Sequence, residues 1–141
     1  MFRSVLTFGL GIATAALLNA DHHGDKGNVK VLSQRDIEEK LGDKATKVTC
    51  VEVTLEPGKA GAPHRHPGPV FGYIIEGEYD WAINDAPVKT LKTGETFYEP
   101  TGCLHRVSQS ASKKNKARVL AIVLHSADAK EIVLPADDSK K

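Results

Sequence analysis

The sequence predicts an all-β fold built as a single β-barrel domain. Segments rich in β-branched and aromatic residues recur at intervals of about 8–12 residues and are separated by Gly, Pro, Asn and Asp, a pattern typical of barrels and sandwiches. The 141 residues fit one hydrophobic core. The histidine pattern described below occurs once, so we expect one barrel and not a tandem pair.

The first 20 residues are typical of a secretory signal peptide. Arg3 supplies a positive charge, residues 5–18 are mainly apolar, and Ala20 offers a small residue for cleavage. The apolar run is shorter than the roughly 20 residues of a membrane-spanning helix, which favours a cleaved signal over an uncleaved anchor. We therefore expect an exported protein, periplasmic or extracellular, with no stable membrane insertion after cleavage.

Residues 21–27 follow the signal and are expected to form a flexible, polar lead-in. Cleavage after Ala20 would leave Asp21-His22-His23 at the new N-terminus. A histidine in third position behind a free amine can complete a plane of four nitrogens, the geometry that Cu(II) and Ni(II) prefer. The segment is therefore interpreted either as a solvated tail or as a second copper site.

The barrel domain is predicted over residues 28–135, with a charged tail over residues 136–141. A short strand is expected over residues 28–33, and the spacing of Ile37 and Leu41 on a charged background predicts a short N-terminal helix over residues 35–41. Residues 47–55 alternate in the manner of a half-buried strand. Further strands are predicted over residues 70–75, 78–83, 87–91, 95–99, 103–108 and 119–125. The last run is continuously apolar and is expected to cross the centre of a sheet.

Composition and charge describe an ordinary folded protein without a nucleic-acid site. Hydrophobic residues make up 40% of the chain and charged residues 26%, which argues against wholesale disorder. The 19 basic and 18 acidic residues nearly cancel. A phosphate-binding face would normally show as a basic excess, so no nucleic-acid partner is expected.

Three histidines form the candidate metal site. His64 and His66 are two residues apart, so on an extended chain both rings project from the same face and can reach one ion. His105 supplies a third imidazole farther along the chain. Neutral imidazole nitrogen is a good ligand for Fe, Mn, Zn, Ni and Cu, so the predicted cofactor is one divalent transition metal.

The residues around these histidines resemble the two conserved motifs of the cupin superfamily. The matching positions are Gly58, His64, His66 and Gly77 in the first motif and Gly94, Pro100, Gly102 and His105 in the second. The resemblance covers about residues 47–125. It implies a jelly-roll β-barrel with the metal inside its mouth, and small cupins commonly form homodimers through outer strands.

Two positions depart from the family pattern. Val70 stands where the family usually has a metal-binding glutamate, and Gln109 stands where the second motif ends in asparagine. Valine cannot ligate, so the expected site has three neutral histidines and at least one open position. Such a site favours Zn(II), Fe(II), Ni(II) or Cu(II) over Mn(II) or Mg(II).

Glu99 is the candidate catalytic residue. It precedes Pro100, on a strand that runs beside the His105 strand in cupin barrels. One interpretation is an exposed charge at a strand end. If the side chain instead points inward with Phe97, it is a desolvated carboxylate near a cation, suited to ligation or to proton transfer.

The remaining candidate residues are two cysteines and three aromatic residues. Cys103 is interpreted as a thiolate ligand, an inert buried thiol or half of a disulfide with Cys50, which could persist in an oxidising compartment. Tyr73, Tyr79 and Trp81 are expected either to line a small-molecule pocket or to pack in the core or a dimer interface.

A cupin fold does not select one reaction. The favoured hypothesis is a mononuclear metalloenzyme of the dioxygenase or isomerase class that acts on a small oxygen-rich molecule. The alternative is a non-catalytic, metal-dependent binding protein for a carbohydrate or an organic acid. A base within reach of the open metal position would favour the enzyme, and Glu99 is the candidate for that base.

Overall fold

A computed structural model describes residues 28–137 of the chain. The predicted signal peptide, the lead-in with its Asp21-His22-His23 sequence, and residues 138–141 of the predicted tail lie outside the described residues. No helix within residues 28–137 is long and apolar enough to cross a membrane.

Ten β-strands run through the described part of the chain. They are β1 (Val29–Leu41), β2 (Lys44–Leu55), β3 (His64–Arg65), β4 (Val70–Glu76), β5 (Glu78–Ile83), β6 (Lys89–Lys92), β7 (Thr96–Glu99), β8 (His105–Ser110), β9 (Ala117–Ser126) and β10 (Leu134–Pro135). Strands β1-β2-β9-β4-β7, in that order, form one antiparallel sheet, and β10-β3-β8-β5-β6 form the other. The predicted all-β jelly-roll architecture is confirmed.

The helix expected over residues 35–41 is wrong, because these residues form the second half of β1. They pair with β2, with Arg35 opposite Val48 and Leu41 opposite Lys44. A spacing of four residues places Ile37 and Leu41 on one face of a helix, but it also places them on one face of a strand, because four is a multiple of the two-residue strand period. Pairing with β2 decides between the two conformations.

The hydrophobic core lies between the two sheets. Its buried members are Leu55, Val70, Ile74, Tyr79, Phe97, Ala117, Val119 and Val123. Strand β9 supplies three of these residues and is the central strand of its sheet, as its continuously apolar sequence predicts. The core therefore packs against the same strands that carry the candidate site.

Gly72 makes room for an aromatic cluster in this core. A Cβ atom at position 72 would lie 2.0 Å from the Phe97 ring, so no larger residue fits without displacing it. Phe97 lies opposite Gly72 on the neighbouring strand, and its ring centroid is 5.7 Å from that of Tyr79 and 5.6 Å from that of Trp81. The small residue in β4 thus lets three aromatic side chains pack beneath the histidines.

Candidate metal centre

The structure brings the three predicted histidine ligands together. His64 lies opposite His105 where β3 pairs with β8, and His66 follows β3 directly. One ligand nitrogen from each of the three rings lies within 4.8 Å of the other two. Pro63 and Pro67 flank this segment and have no N–H to donate to a sheet, which keeps β3 short.

Backbone carbonyls orient two of the three imidazoles. His64 Nδ1 lies 2.8 Å from the Ala62 oxygen, and His66 Nδ1 lies 2.6 Å from the Ile132 oxygen. A carbonyl oxygen only accepts, so Nδ1 carries the hydrogen in both rings and each neutral ring keeps an unprotonated Nε2. The hydrogen bond from each Nδ1 to a carbonyl oxygen therefore leaves Nε2 of that ring free to bind a metal.

The two Nε2 atoms face each other at 3.1 Å with no hydrogen between them. Facing lone pairs repel, and a cation that both nitrogens bind relieves the repulsion. A proton is a poor candidate near neutral pH, because burial lowers the pKa of His66 to about 4. The donor atoms thus fit a divalent transition metal, which takes neutral imidazole nitrogens as ligands.

His105 is buried between two polar side chains. Its Nδ1 lies 3.2 Å from Glu99 Oε1, and its Nε2 lies 3.1 Å from the Tyr79 hydroxyl, which donates to Ser108 Oγ at 2.9 Å. Burial, followed by the proximity of the other two histidines, lowers the pKa of His105 to about 3. The ring is therefore neutral at ordinary pH, as metal ligation requires.

Glu99 points inward and lies in this cluster. Its side chain is 1% exposed, and Oε1 accepts a hydrogen bond of 3.0 Å from Trp81 Nε1. Oε2 lies 3.7 Å from His66 Nε2 and is buried without a hydrogen-bond partner among the described residues. Burial raises the pKa of the carboxyl to about 7, partly offset by the Trp81 hydrogen bond. The interpretation of Glu99 as an exposed strand-end charge is wrong.

Val70 lies directly opposite Glu99 in the pairing of β4 with β7. Both residues are 1% exposed, and opposite residues of an antiparallel pair project from the same face. Position 70 therefore faces the barrel interior, as its place in the motif predicts, but the buried carboxyl on this face comes from the neighbouring strand.

The two cysteines are both free thiols, so the alternative in which they form a disulfide is not realised. Cys50 lies on β2, and Cys103 lies in the turn before β8, in the other sheet. Burial raises the pKa of the Cys103 thiol, and the nearby Glu99 carboxyl raises it further. A thiol in this state is poorly suited to ligation as a thiolate.

Sequence reasoning missed the contribution of the C-terminal segment. Strand β10 pairs with β3, Ile132 supplies the carbonyl that orients His66, and Arg65 donates to the Ala136 oxygen at 3.1 Å. A main-chain carbonyl leaves no trace in the sequence, so no motif could have indicated this partner. The available signal was the short apolar run at residues 132–135, which indicates a further strand but not its partner.

The aromatic residues divide between the core and the surface. Tyr79 is buried and Trp81 is partly buried, and both contact side chains of the candidate site. Tyr73 instead lies exposed on the outer face of β4. Of the three, Tyr79 and Trp81 line the site, whereas Tyr73 does not.

Solved structures similar to this one share its fold at low sequence identity. An uncharacterised protein with a double-stranded β-helix domain from Klebsiella pneumoniae is 17% identical, with a TM-score of 0.56 over 79% of this chain and 89% of that one. A cupin-like protein from Thermotoga maritima is 20% identical, with a TM-score of 0.53 over 79% of this chain and 78% of that one.

The DMSP lyase DddQ from Ruegeria pomeroyi is 20% identical, with a TM-score of 0.52 over 62% of this chain. This chain covers 42% of the lyase. No curated protein sequence matches the chain. The family model described as "Cupin domain" matches residues 51–123, which include all three histidines and Glu99. The chain belongs to the cupin superfamily.

Proposed function

We propose that the protein is an exported metalloenzyme that holds one divalent transition metal with His64, His66 and His105. The observation that carries the proposal is the convergence of three ring nitrogens within 4.8 Å of one another. Two of them, the Nε2 atoms of His64 and His66, are unprotonated and 3.1 Å apart, because carbonyls accept both Nδ1 hydrogens. The candidate ions are Fe, Zn, Ni, Cu and Mn. We propose a small oxygen-rich substrate that undergoes oxygenation or isomerisation, for which a bound metal supplies Lewis-acid polarisation.

Glu99 is the proposed catalytic carboxyl, because it contacts two of the three histidines from a buried position. Burial raises the pKa of this carboxyl to about 7 in the metal-free site. A divalent ion bound by the histidines would favour the ionised form, so Glu99 in the loaded site is a carboxylate that can accept a proton. The aromatic rings of Phe97, Trp81 and Tyr79 pack beside it and exclude water from that side of the site. These features support an enzyme over a simple binding protein.

The test begins with metal analysis of the protein purified from its own compartment. We expect about one divalent transition metal per chain, and loss of that metal from the His64→Ala/His66→Ala double variant. Full metal retention by the double variant would overturn the site. The loaded protein is then assayed for oxygen uptake and product formation with small hydroxy acids, keto acids and sugars, and saturable binding without turnover would favour the alternative, a metal-dependent binding protein.

We further propose that the mature protein forms a homodimer through the outer face of the sheet that contains β9, β4 and β7. Phe71 and Tyr98 pair there with ring centroids 5.2 Å apart, and they are 48% and 50% exposed. Ile122 of β9 lies beside Phe71 in the same sheet, so the apolar surface extends across three strands. Sedimentation of the wild-type protein and of the Phe71→Ser/Tyr98→Ser variant tests the proposed dimer. The wild-type protein should be dimeric and the variant monomeric, because the substitutions remove the exposed apolar surface. A monomeric wild-type protein would contradict the proposal.

A further inference from the structure

We infer that Glu99 is a fourth metal ligand, and that the carboxylate absent from position 70 is supplied by the residue directly opposite on the neighbouring strand. The inference rests on the proposed metal site. It assigns Glu99 a defined role there, as the oxygen donor of a site with three nitrogens and one oxygen.

The strand register makes this exchange of positions possible. Val70 and Glu99 are opposite one another in β4 and β7, and both side chains are buried on the same face. Cβ atoms of opposite residues are typically about 4.5–5.5 Å apart, a distance that the length of a glutamate side chain spans. A carboxylate that moves from one residue of the pair to the other can therefore still reach the same ion.

The two oxygens of Glu99 are in different situations. Oε1 accepts the Trp81 hydrogen bond. Oε2 is buried, has no hydrogen-bond partner within residues 28–137 and lies 3.7 Å from His66 Nε2. That separation is too long for a hydrogen bond between the two atoms. A buried acceptor without a partner lowers the stability of the folded state by about 1–3 kcal/mol. Such groups are rare in native structures, so the position of Oε2 indicates a partner that is not a protein group.

A shared cation supplies that partner. The Nε2 atoms of His64 and His66 carry no hydrogen, since the Nδ1 atoms of both rings hold the ring hydrogens. With Glu99 ionised, Oε2 is a third acceptor atom beside them. A divalent ion satisfies all of them at once. The Trp81 hydrogen bond fixes the other oxygen, which orients the carboxylate in the way that outer hydrogen bonds orient metal ligands.

A fourth, anionic ligand alters the expected metal preference. With three neutral imidazoles a divalent ion keeps its full charge of plus two, whereas with an ionised Glu99 the site carries a net charge of plus one. A hard oxygen donor favours Fe(II) and Mn(II) more than an all-nitrogen site does. Mn(II) therefore remains among the expected ions, although position 70 is a valine and not a glutamate.

The experiment moves the carboxylate between the two strands. The variants are Glu99→Gln, which keeps the shape and an acceptor for Trp81, and Val70→Glu/Glu99→Gln, which returns the carboxylate to position 70. Glu78→Gln, at an exposed position of β5, is the matched control. Each chelator-treated full-length protein is titrated with Co(II), its visible spectrum is recorded, and affinity is measured by competition with a chelator.

We expect Glu99→Gln to bind Co(II) more weakly by about 10–100-fold or more, with an altered spectrum, because it lacks the oxygen donor. The exchange variant should recover most of the affinity, and the control should match the wild-type protein. If Glu99→Gln does not fold, Glu99→Asp serves in its place, and its shorter carboxylate should also weaken binding and alter the spectrum.

Wild-type affinity and an unchanged spectrum in Glu99→Gln, or in Glu99→Asp where that variant replaces it, would overturn the inference. The His64→Ala/His66→Ala variant separates this failure from a failure of the proposed function. If that double variant loses Co(II) while Glu99→Gln retains it, the three-histidine site stands and only the fourth ligand is wrong. If the double variant also retains Co(II), the proposed metal site itself is wrong.

Discussion

Metal binding should release a proton from Glu99 in a way that depends on pH. A buried carboxyl with a pKa of about 7 is about nine-tenths protonated at pH 6 and about one-tenth protonated at pH 8. Coordination requires the ionised carboxylate, so loading the metal at pH 6 displaces this proton. The Glu99→Gln variant has no such proton, whereas both proteins share the same imidazoles.

The difference between the two proteins isolates the contribution of Glu99. We expect the wild-type protein to release about 0.9 more protons per metal than Glu99→Gln at pH 6, and about 0.1 more at pH 8. Calorimetric titration with Zn(II) in two buffers of different ionisation enthalpy measures the number of protons released. Equal release by both proteins at pH 6 would refute the argument, because Glu99 would then be ionised before the metal arrives or remain protonated beside it.

Three further predictions concern stability and the C-terminal segment. In the metal-free protein, native Glu99 keeps a proton between about pH 4.5 and 7 that the unfolded chain has lost. The free energy of unfolding of the wild-type protein should therefore fall relative to that of Glu99→Gln as pH rises through this window, by up to about 3 kcal/mol. Urea unfolding of both proteins at pH 5 and pH 8 measures this difference in stability, and a difference that does not change with pH would contradict the prediction. Ending the chain before Ile132 removes both the carbonyl that orients His66 and strand β10, which pairs with β3, so metal affinity should fall by about 10–100-fold. Ending the chain after Asp137 keeps both and should leave the affinity unchanged. Competition with a chelator compares the two proteins, and equal affinities would show that this segment does not support the site. Gly72→Ala should lower the free energy of unfolding by about 1–3 kcal/mol, because the new Cβ collides with the Phe97 ring. Urea unfolding measures this change, and an unchanged midpoint would mean that the ring moves aside without a loss of stability.

Much of the fold follows from local sequence patterns. The alternation in β2, the apolar run of β9 and the turn residues between strands each depend on neighbouring residues, and each predicted the observed element. The N-terminal strand was misjudged because residues 35–41 are largely exposed, so few apolar positions distinguish a strand from a helix. Pairing with β2 through the two-residue turn at Gly42-Asp43 decides for the strand, and that turn is the sequence signal that the helix prediction overlooked.

The site was predictable to the extent that its residues share a motif. His64, His66 and His105 lie in two short segments whose spacing is specific, and the structure brings them together. The alternation of β7 places Glu99 on the same face as Phe97, but its position opposite Val70 depends on the register of β7 against β4, which no spacing within one segment determines. The Ile132 carbonyl is still less accessible to sequence reasoning, because any residue type at that position presents the same oxygen.

The attachment of the C-terminal segment also bears on when the metal can be acquired. Strand β3, which carries His64 and ends directly before His66, pairs with β8 through one residue pair and with β10 through two. The carbonyl partner of His66 Nδ1 lies 66 residues farther along the chain. All the proposed ligands precede β10 in the chain, but the His66 ring gains the partner that orients it only when the segment from Ile132 to β10 has been made and has docked. A site assembled so late captures its ion from the surroundings in which folding finishes, so the metal supply of that compartment selects the ion that the mature protein carries.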